Sequence, residues 1–282
     1  MRLPGPAGSP IASAEPAFAA ARSPFAGFLL KTLAVADMEV RKLLHDPTEV
    51  MTRAVQPVLW LLIFGEVMSR GHVIDTGGLP YLDFIVPGIL AQSVLFIAIF
   101  NGISIIWERD LGIVHKFLVS PAPRSSLVLG KALGGAVRAL IQAFVVLTLA
   151  WILGVKLQAG GFTLPLVVLF VALGAALFGT FSLIIACLVK TRERFMGIGQ
   201  LLTMPLFFAS NAIYPTAIMP SYLKVVSHLN PLTYQIDALR ELLLPAHESV
   251  PPMGVWSDFL VLVAVLAALV TVAARLYPRI AR

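Results

Sequence analysis

The chain has 282 residues, 58% hydrophobic and only 13% charged, with a formal net charge of +6. Soluble domains are about half apolar and about a quarter charged, so this much apolar surface needs lipid to cover it, and a soluble fold is excluded. The basic residues are scattered over segment ends and form no single patch, which argues for membrane topology and against nucleic acid as a partner.

Residues 1–27 are rich in Ala, Pro, Gly and Ser and lack the continuous apolar core of a signal peptide, so they are expected to be a disordered cytoplasmic tail ahead of a membrane domain over 28–282. Leu29, Leu33, Ala36, Val40 and Leu43 then recur at helical spacing with Lys31, Asp37, Arg41 and Lys42 between them, until His45-Asp46-Pro47 ends the pattern. That pattern predicts an amphipathic helix lying along the membrane interface.

A helix needs about 20 apolar residues to cross a bilayer core. Six stretches qualify, with approximate ends at Val50–Met68, Leu82–Ile106, Leu127–Leu153, Leu164–Val189, Phe195–Tyr214 and Trp256–Leu276. The expected fold is therefore an all-α polytopic membrane protein. With the N-terminus in the cytoplasm, all but Arg70, Lys156, Lys224 and Arg240 of the 21 Lys and Arg fall at the inner side. The positive-inside rule then puts both termini in the cytoplasm. Pro57, Pro87 and Pro205 each remove a helical hydrogen bond within a span and predict kinks.

Between the second and third spans lies an insert from Trp107 to Arg124. Trp107, Leu111, Val114 and Leu118 are spaced i, i+4, i+7 and i+11, while Glu108, Arg109, His115 and Lys116 point elsewhere, which predicts a short amphipathic helix at the membrane surface. Turning the chain needs only a few residues, so this insert is expected to meet a soluble partner.

The third span carries Lys131, Gly135, Arg138 and Gln142 at i, i+4, i+7 and i+11, one polar seam on one face. Arg138 lies about 10 Å deeper than Lys131 at 1.5 Å per residue. It either faces the bundle interior, holding an anionic substrate group or an acidic neighbour such as Glu108 or Asp37, or snorkels to lipid phosphates. Ser93, Asn101 and Ser104 cluster on one face of the second span, where such weakly polar stripes either glue helices or line a path. In the fourth span, Gly174, Ala175, Gly179, Ser182 and Ala186 predict close helix packing.

About 40 residues between the fifth and sixth spans are apolar in patches and broken by Pro215, Pro220, Pro231 and Pro245. None of the pieces can span, so short re-entrant or interfacial helices at the outer face are expected, with the capacity to act as a gate.

Catalytic signatures are missing. Around Gly130-Lys131, Ser125 replaces the first glycine of a phosphate-binding loop and Ala132 replaces the magnesium-binding Ser or Thr. The five histidines fall in separate segments without metal-ligand spacing, and no Gly-x-Ser-x-Gly elbow occurs. Cys187 is a lone cysteine at the end of an apolar run, in keeping with a small buried hydrophobe.

Phe84-Ile85-Val86-Pro87-Gly88, Glu108-Arg109 with Leu118-Val119-Ser120-Pro121, and Asn230-Pro231-Leu232-Thr233-Tyr234 followed by Asp237-Ala238-Leu239-Arg240 resemble, in order and spacing, the membrane subunits of type 2 ATP-binding-cassette exporters. The daunorubicin-resistance and lipooligosaccharide-export permeases are the nearest in flavour. The resemblance covers roughly residues 30–278. It implies a six-span, non-catalytic permease of a bacterial inner membrane that pairs with a second permease subunit, identical or homologous, and with two copies of an ATP-binding subunit. ATP and magnesium would be bound by that partner, leaving no cofactor in this chain. The resemblance also implies that Trp107, Glu108, Arg109, Leu111, Phe117, Leu118 and Pro121 form the coupling contact with the ATPase. Arg138, Gln142, Ser93 and Asn101 are the candidates for a substrate path or buried charge, and Tyr214, Pro215, Pro220, Asn230, Pro231, Tyr234 and Arg240 for an outer re-entrant gate. The substrate class is expected to be a hydrophobic or amphiphilic drug or lipid, with a glycan or glycolipid as the alternative within transport. An integral membrane enzyme or scaffold is the alternative from another class.

Overall fold

The computed structural model describes residues 24–45, 48–71, 74, 76, 78–113, 123–158, 160–244 and 254–277. Regular structure among them is helical throughout. In chain order the elements are α1 (Pro24–His45), α2 (Thr48–Leu59), a π-helical stretch (Trp60–Gly65), α3 (Glu66–Gly71), α4 (Tyr81–Phe100), α5 (Gly102–Asp110) and α6 (Arg124–Ile152). There follow α7 (Thr163–Leu188), α8 (Arg192–Phe208), a 3₁₀ turn (Thr216–Ile218), α9 (Ser221–Leu229), α10 (Pro231–Leu243) and α11 (Val255–Leu276). Helix α1 starts at Pro24, inside the stretch assigned to the tail, whose first 23 residues lie outside the described ones.

Among the described residues, four helical runs are long and apolar enough to cross a membrane: Tyr81–Asp110, Arg124–Ile152, Thr163–Leu188 and Val255–Leu276. The other two expected spans are helical but are not among these four. The first is a helical run from Thr48 to Gly71 that carries Pro57 and, directly after it, the π-helical stretch. The fifth, expected to reach Tyr214, ends as α8 at Phe208, past Pro205. Ser210 turns back to donate to the Phe207 carbonyl, and the chain runs on to place Ala212 directly on Gly88 of α4. Any Cβ at Gly88 would collide with the Ala212 backbone, so the glycine is what admits this loop into the bundle.

Helix α4 is the axis of the fold. It is buried along nearly all its length, packed by α6, α7, α8 and α10, and it supplies Phe84, Ile85, Ile89, Leu90, Leu95 and Ile99 to the main core. Its continuation through α5 makes a helical run of 30 residues. At 1.5 Å per residue that is about 45 Å, longer than a hydrocarbon core of about 30 Å. A second core at this end, where Ile105, Ile106, Leu127, Val128, Leu183 and Phe195 meet, ties α5 to the start of α6 and to α7 and α8. Gly102 and Ser182 allow that contact: a side chain at 102 would occupy the space of Ser182 and Phe195, and Ser182 donates to the Ile99 carbonyl. Helix α11 packs on α7, α10 and α6, and leaves Leu260, Val263 and Val272 exposed as a lipid-suited face.

The expected amphipathic helix forms, with its faces assigned differently from the apolar repeat. Thr32, Val35 and Glu39 are buried against α6, whereas Leu29, Leu30 and Leu33 are exposed. The protein-facing stripe is thus the less apolar one, and the leucines are left for lipid. The approach is close because Gly130 and Gly134 of α6 have no side chain; a Cβ there would overlap Val35 and Glu39.

Candidate functional site

Two polar regions share the face of α6 predicted as a seam. Lys131, Gly135, Arg138 and Gln142 are all buried. They do not act together. Lys131 and Arg138 belong to an ion cluster, and Gln142, one turn further on, belongs to a cavity.

The cluster contains Glu39 from α1, Glu108 from α5, and Lys131 and Arg138 from α6, each at most 6% exposed. Lys131 Nζ donates to a Glu108 carboxylate oxygen and lies 3.4 Å from Glu39 Oε1. Arg138 Nη1 lies 3.5 Å from Glu39 Oε2 and donates to Asn101 Oδ1 at 3.1 Å. Two carboxylates thus face two cations. Each charge has lost water but gained an opposite charge within contact, the condition under which buried ions are tolerated. Arg138 therefore faces the bundle interior and does not snorkel. Its acidic neighbour is Glu39, where Glu108 or Asp37 was expected. Asp37 instead pairs with Arg41 on the exposed side of α1 at 2.7 Å. Asn101 serves this cluster.

Glu108 was expected on the charged, partner-facing side of the insert. The structure corrects this: it is 4% exposed and bound to Lys131. The reason is that α5 is a direct continuation of α4, so its inward face still packs on the bundle. Arg109 is also occupied, donating to the carbonyls of Val189 at 3.2 Å and Lys190 at 2.6 Å. Arg192 lies 3.4 Å above the Trp107 ring and 2.9 Å from Asp110. The root of the insert is thereby clamped to the turn between α7 and α8. Trp107 and Leu111 remain exposed, at 49% and 67%. Phe117, Leu118 and Pro121 lie outside the described residues.

The cavity lies between α2, α4, α6 and α8 and has a volume of about 430 Å³. Its polar lining is Thr52, Gln56, Gln92, Ser93, Gln142 and Gln200, and Phe96, Ile97 and Phe100 form its apolar side. Gln142 is 1% exposed, and neither its Nε2 nor its Oε1 has a hydrogen-bond partner. Ser93, which also lines the cavity, donates to the Ile89 carbonyl at 2.7 Å. Of the four expected path residues, the structure brings Ser93 and Gln142 together here and sends Arg138 and Asn101 to the cluster. Sequence reading missed Gln56, Gln92 and Gln200; a count of amides within apolar helices would have singled them out.

At the opposite end, the expected gate residues build short helices locked by their own polar groups. Asn230 caps α10 by accepting from the Leu232 amide at 3.0 Å and ties it to α8 by donating to the Leu206 carbonyl at 2.6 Å, with Pro231 in the first turn. Tyr234 donates to the His228 carbonyl at 2.7 Å, and Tyr214 to that of Phe208. Pro215 and Pro220 precede the 3₁₀ turn and α9. Arg240 is buried, with its guanidinium 4.2 Å from the Phe84 ring centre, bonded to the Asn211 carbonyl at 2.8 Å and 3.5 Å from Asp237. Burial pushes the Asp237 carboxyl above its ordinary range, against the pull of Arg240 and of the Asn211 amide that donates to it.

A polytopic helical bundle with a side cavity, a clamped surface insert and locked short helices at its far end is the build of a membrane permease. The chain belongs to the ABC-2 type transporter family, whose profile matches residues 31–244. It is 32% identical over 203 residues to a putative transport permease, ycf38, of Cyanophora paradoxa, covering 71% of this chain and 69% of that one. It is 28% identical over 240 residues to the daunorubicin resistance ABC transporter permease protein DrrB1 of Streptomyces coeruleorubidus, covering 84% and 81%. To the inner membrane transport permease YadH of Escherichia coli it is 27% identical over 186 residues, covering 64% and 70%. The chain is thus a membrane transport permease of the ATP-binding-cassette class, a class that works with an ATP-binding partner.

Proposed function

We propose that the chain is the membrane subunit of an ATP-driven exporter that moves a hydrophobic or amphiphilic molecule outward, using two copies of a separate ATP-binding subunit and a second permease subunit, identical or homologous. On this reading it lies in a bacterial inner membrane with both termini cytoplasmic, and ATP and magnesium stay with the partner. The observation that carries the reading is the cavity, where an unpartnered, nearly inaccessible amide at Gln142 sits among apolar helices.

The clamp supports the coupling half of the reading. Because Arg109 grips the Val189 and Lys190 carbonyls and Arg192 grips Asp110 and Trp107, a push on the insert reaches α7 and α8 as well as α4. The exposed Trp107 and Leu111 are the described apolar groups best placed to receive that push. The deciding experiment is co-purification with the cognate ATP-binding subunit, followed by reconstitution in vesicles. A stoichiometric complex whose ATPase rate rises with an amphiphile, and falls with Leu111→Asp, is expected; a permease that binds no ATPase would overturn the reading. Single-cysteine labelling in a chain lacking Cys187 tests orientation: position 116 should be shielded from an impermeant outside reagent and position 224 open to it.

A further inference from the structure

We propose that Asp258, in the first turn of α11, is a proton-binding site: it holds a proton while α10 and α11 are packed together and releases it when they part. This rests on the permease reading above, which makes that end the outer one and has it open in a cycle. Asp258 is fully buried, and neither of its carboxyl oxygens has a hydrogen-bond partner. An ionised carboxylate deprived of water, donor and cation is among the costliest groups to bury, and it takes up a proton instead. A metal ion does not supply the missing charge, since no group of three or more His, Cys, Asp or Glu side chains among the described residues could hold one.

The surrounding charges point the same way. From α10, Asp237 and Glu241 bear on Asp258, and both are carboxylates. The cation of that helix is engaged elsewhere: the Arg240 guanidinium lies 3.5 Å from Asp237, bonds to the Asn211 carbonyl and covers the Phe84 ring. Asn211 and His228 likewise act on Asp237, and the Tyr234 phenol is bonded to the His228 carbonyl. Helix α7, packed on α11, has no acidic or basic side chain from Thr163 to Leu188, and its one thiol, Cys187, is at the far end. The charges of α6, which also packs on α11, are Arg124, Lys131 and Arg138 in its first half, and Arg275 lies at the other end of α11. Beside Asp258 the contact between α7 and α11 is aromatic, with the Phe170 and Phe259 rings 6.3 Å apart. Parting α10 from α11 admits water, and a hydrated carboxyl at neutral pH is ionised. Opening therefore releases one proton from the carboxyl and closing takes one up. Acid favours the closed end and rising pH the open one, by up to about tenfold in the equilibrium per pH unit.

The test uses the full-length permease with its ATP-binding subunit in lipid nanodiscs, without nucleotide. The infrared difference spectrum between the unmodified protein and Asp258→Asn at neutral pH should contain the carbonyl band of a protonated carboxylic acid, present only in the unmodified protein. Asparagine has the shape of a neutral carboxyl, so the variant should fold and melt as the unmodified protein does. A second readout uses Leu262, fully buried one turn further along the same face of α11, and Leu229, which is exposed. In a chain lacking Cys187, labelling of Leu262→Cys by an impermeant maleimide, divided by that of Leu229→Cys, should rise severalfold per pH unit as the medium is made alkaline. Adding Asp258→Asn should flatten that rise. No acid band in the difference spectrum, an Asp258→Asn variant that no longer folds, or an unchanged pH response in its presence would each overturn the proposal. Failure of the permease reading looks different: the acid band would persist while the ATP-binding subunit does not associate.

Discussion

The ion cluster and the cavity sit one helical turn apart on the same face of α6, and they hold polarity inside the membrane in opposite ways. The cluster contains full charges, and each has an opposite charge in contact. The cavity contains only neutral groups among its described residues, and its deepest one is unsatisfied. The difference teaches that the formally stronger group is the structural one. Charge here fastens α1 and α5 to α6, and the cavity is left to uncharged groups.

The comparison is broken most severely by removing a charge from the cluster. Lys131→Met would remove the cation that Glu108 and Glu39 share. Breaking a buried pair in this way costs about 3–5 kcal/mol, so the variant should show strongly reduced expression and a large drop in thermal stability in detergent. The double variant Lys131→Met, Glu108→Gln should recover most of the loss, since two neutral groups replace two ions. Failure of the second substitution to rescue would mean that the pair is not the source of the stability.

A somewhat smaller effect is expected from prying α1 off α6 without touching charge. Gly134→Val places branched carbons where the Glu39 side chain lies, and overpacking of this kind costs about 1–3 kcal/mol. Limited proteolysis should find α1 more accessible in the variant. Gly88→Val is the counterpart at the far end and should expose the 209–215 loop instead, leaving α1 protected.

The clamp at the insert is weaker still. Trp107→Ala removes the ring beneath Arg192, an exposed cation–π contact worth about 0.5–1 kcal/mol. Stability should fall only slightly. Because Trp107 is itself exposed beside Leu111, the measurable consequence should be looser association with the ATP-binding subunit, read by pull-down.

How much of this was legible beforehand depends on whether a feature is local or long-range. The seam on α6 could be read from spacing alone. What spacing cannot show is which acid answers Arg138, because Glu39 lies some 99 positions upstream and sits among polar neighbours in a repeat whose leucines drew attention. Gly130 and Gly134 carried a usable signal, a small-x-x-x-small pair, but it marks close approach without naming the helix that approaches. The end of α8 was misread because apolar residues continue to Tyr214, while Pro205 and Ser210-Asn211 already announced a turn. The cavity draws glutamines from four helices, and only the assembled bundle brings them together.

The smallest change in stability, and the sharpest contrast with the cluster, is expected from Gln142→Leu. In the cluster, deleting one polar partner strands another; at Gln142 neither amide atom has a partner to strand. Leucine is close in size and needs no hydrogen bonds, so the variant should fold and melt within about 0.5 kcal/mol of the unmodified protein, or slightly above it, as expected when an unsatisfied buried amide gives way to an apolar group of similar shape. Thermal unfolding of the variant, measured beside that of the unmodified protein, checks this. A marked loss of stability in Gln142→Leu would mean that the amide is bonded within the bundle after all, and the cavity would then join the cluster as part of the framework.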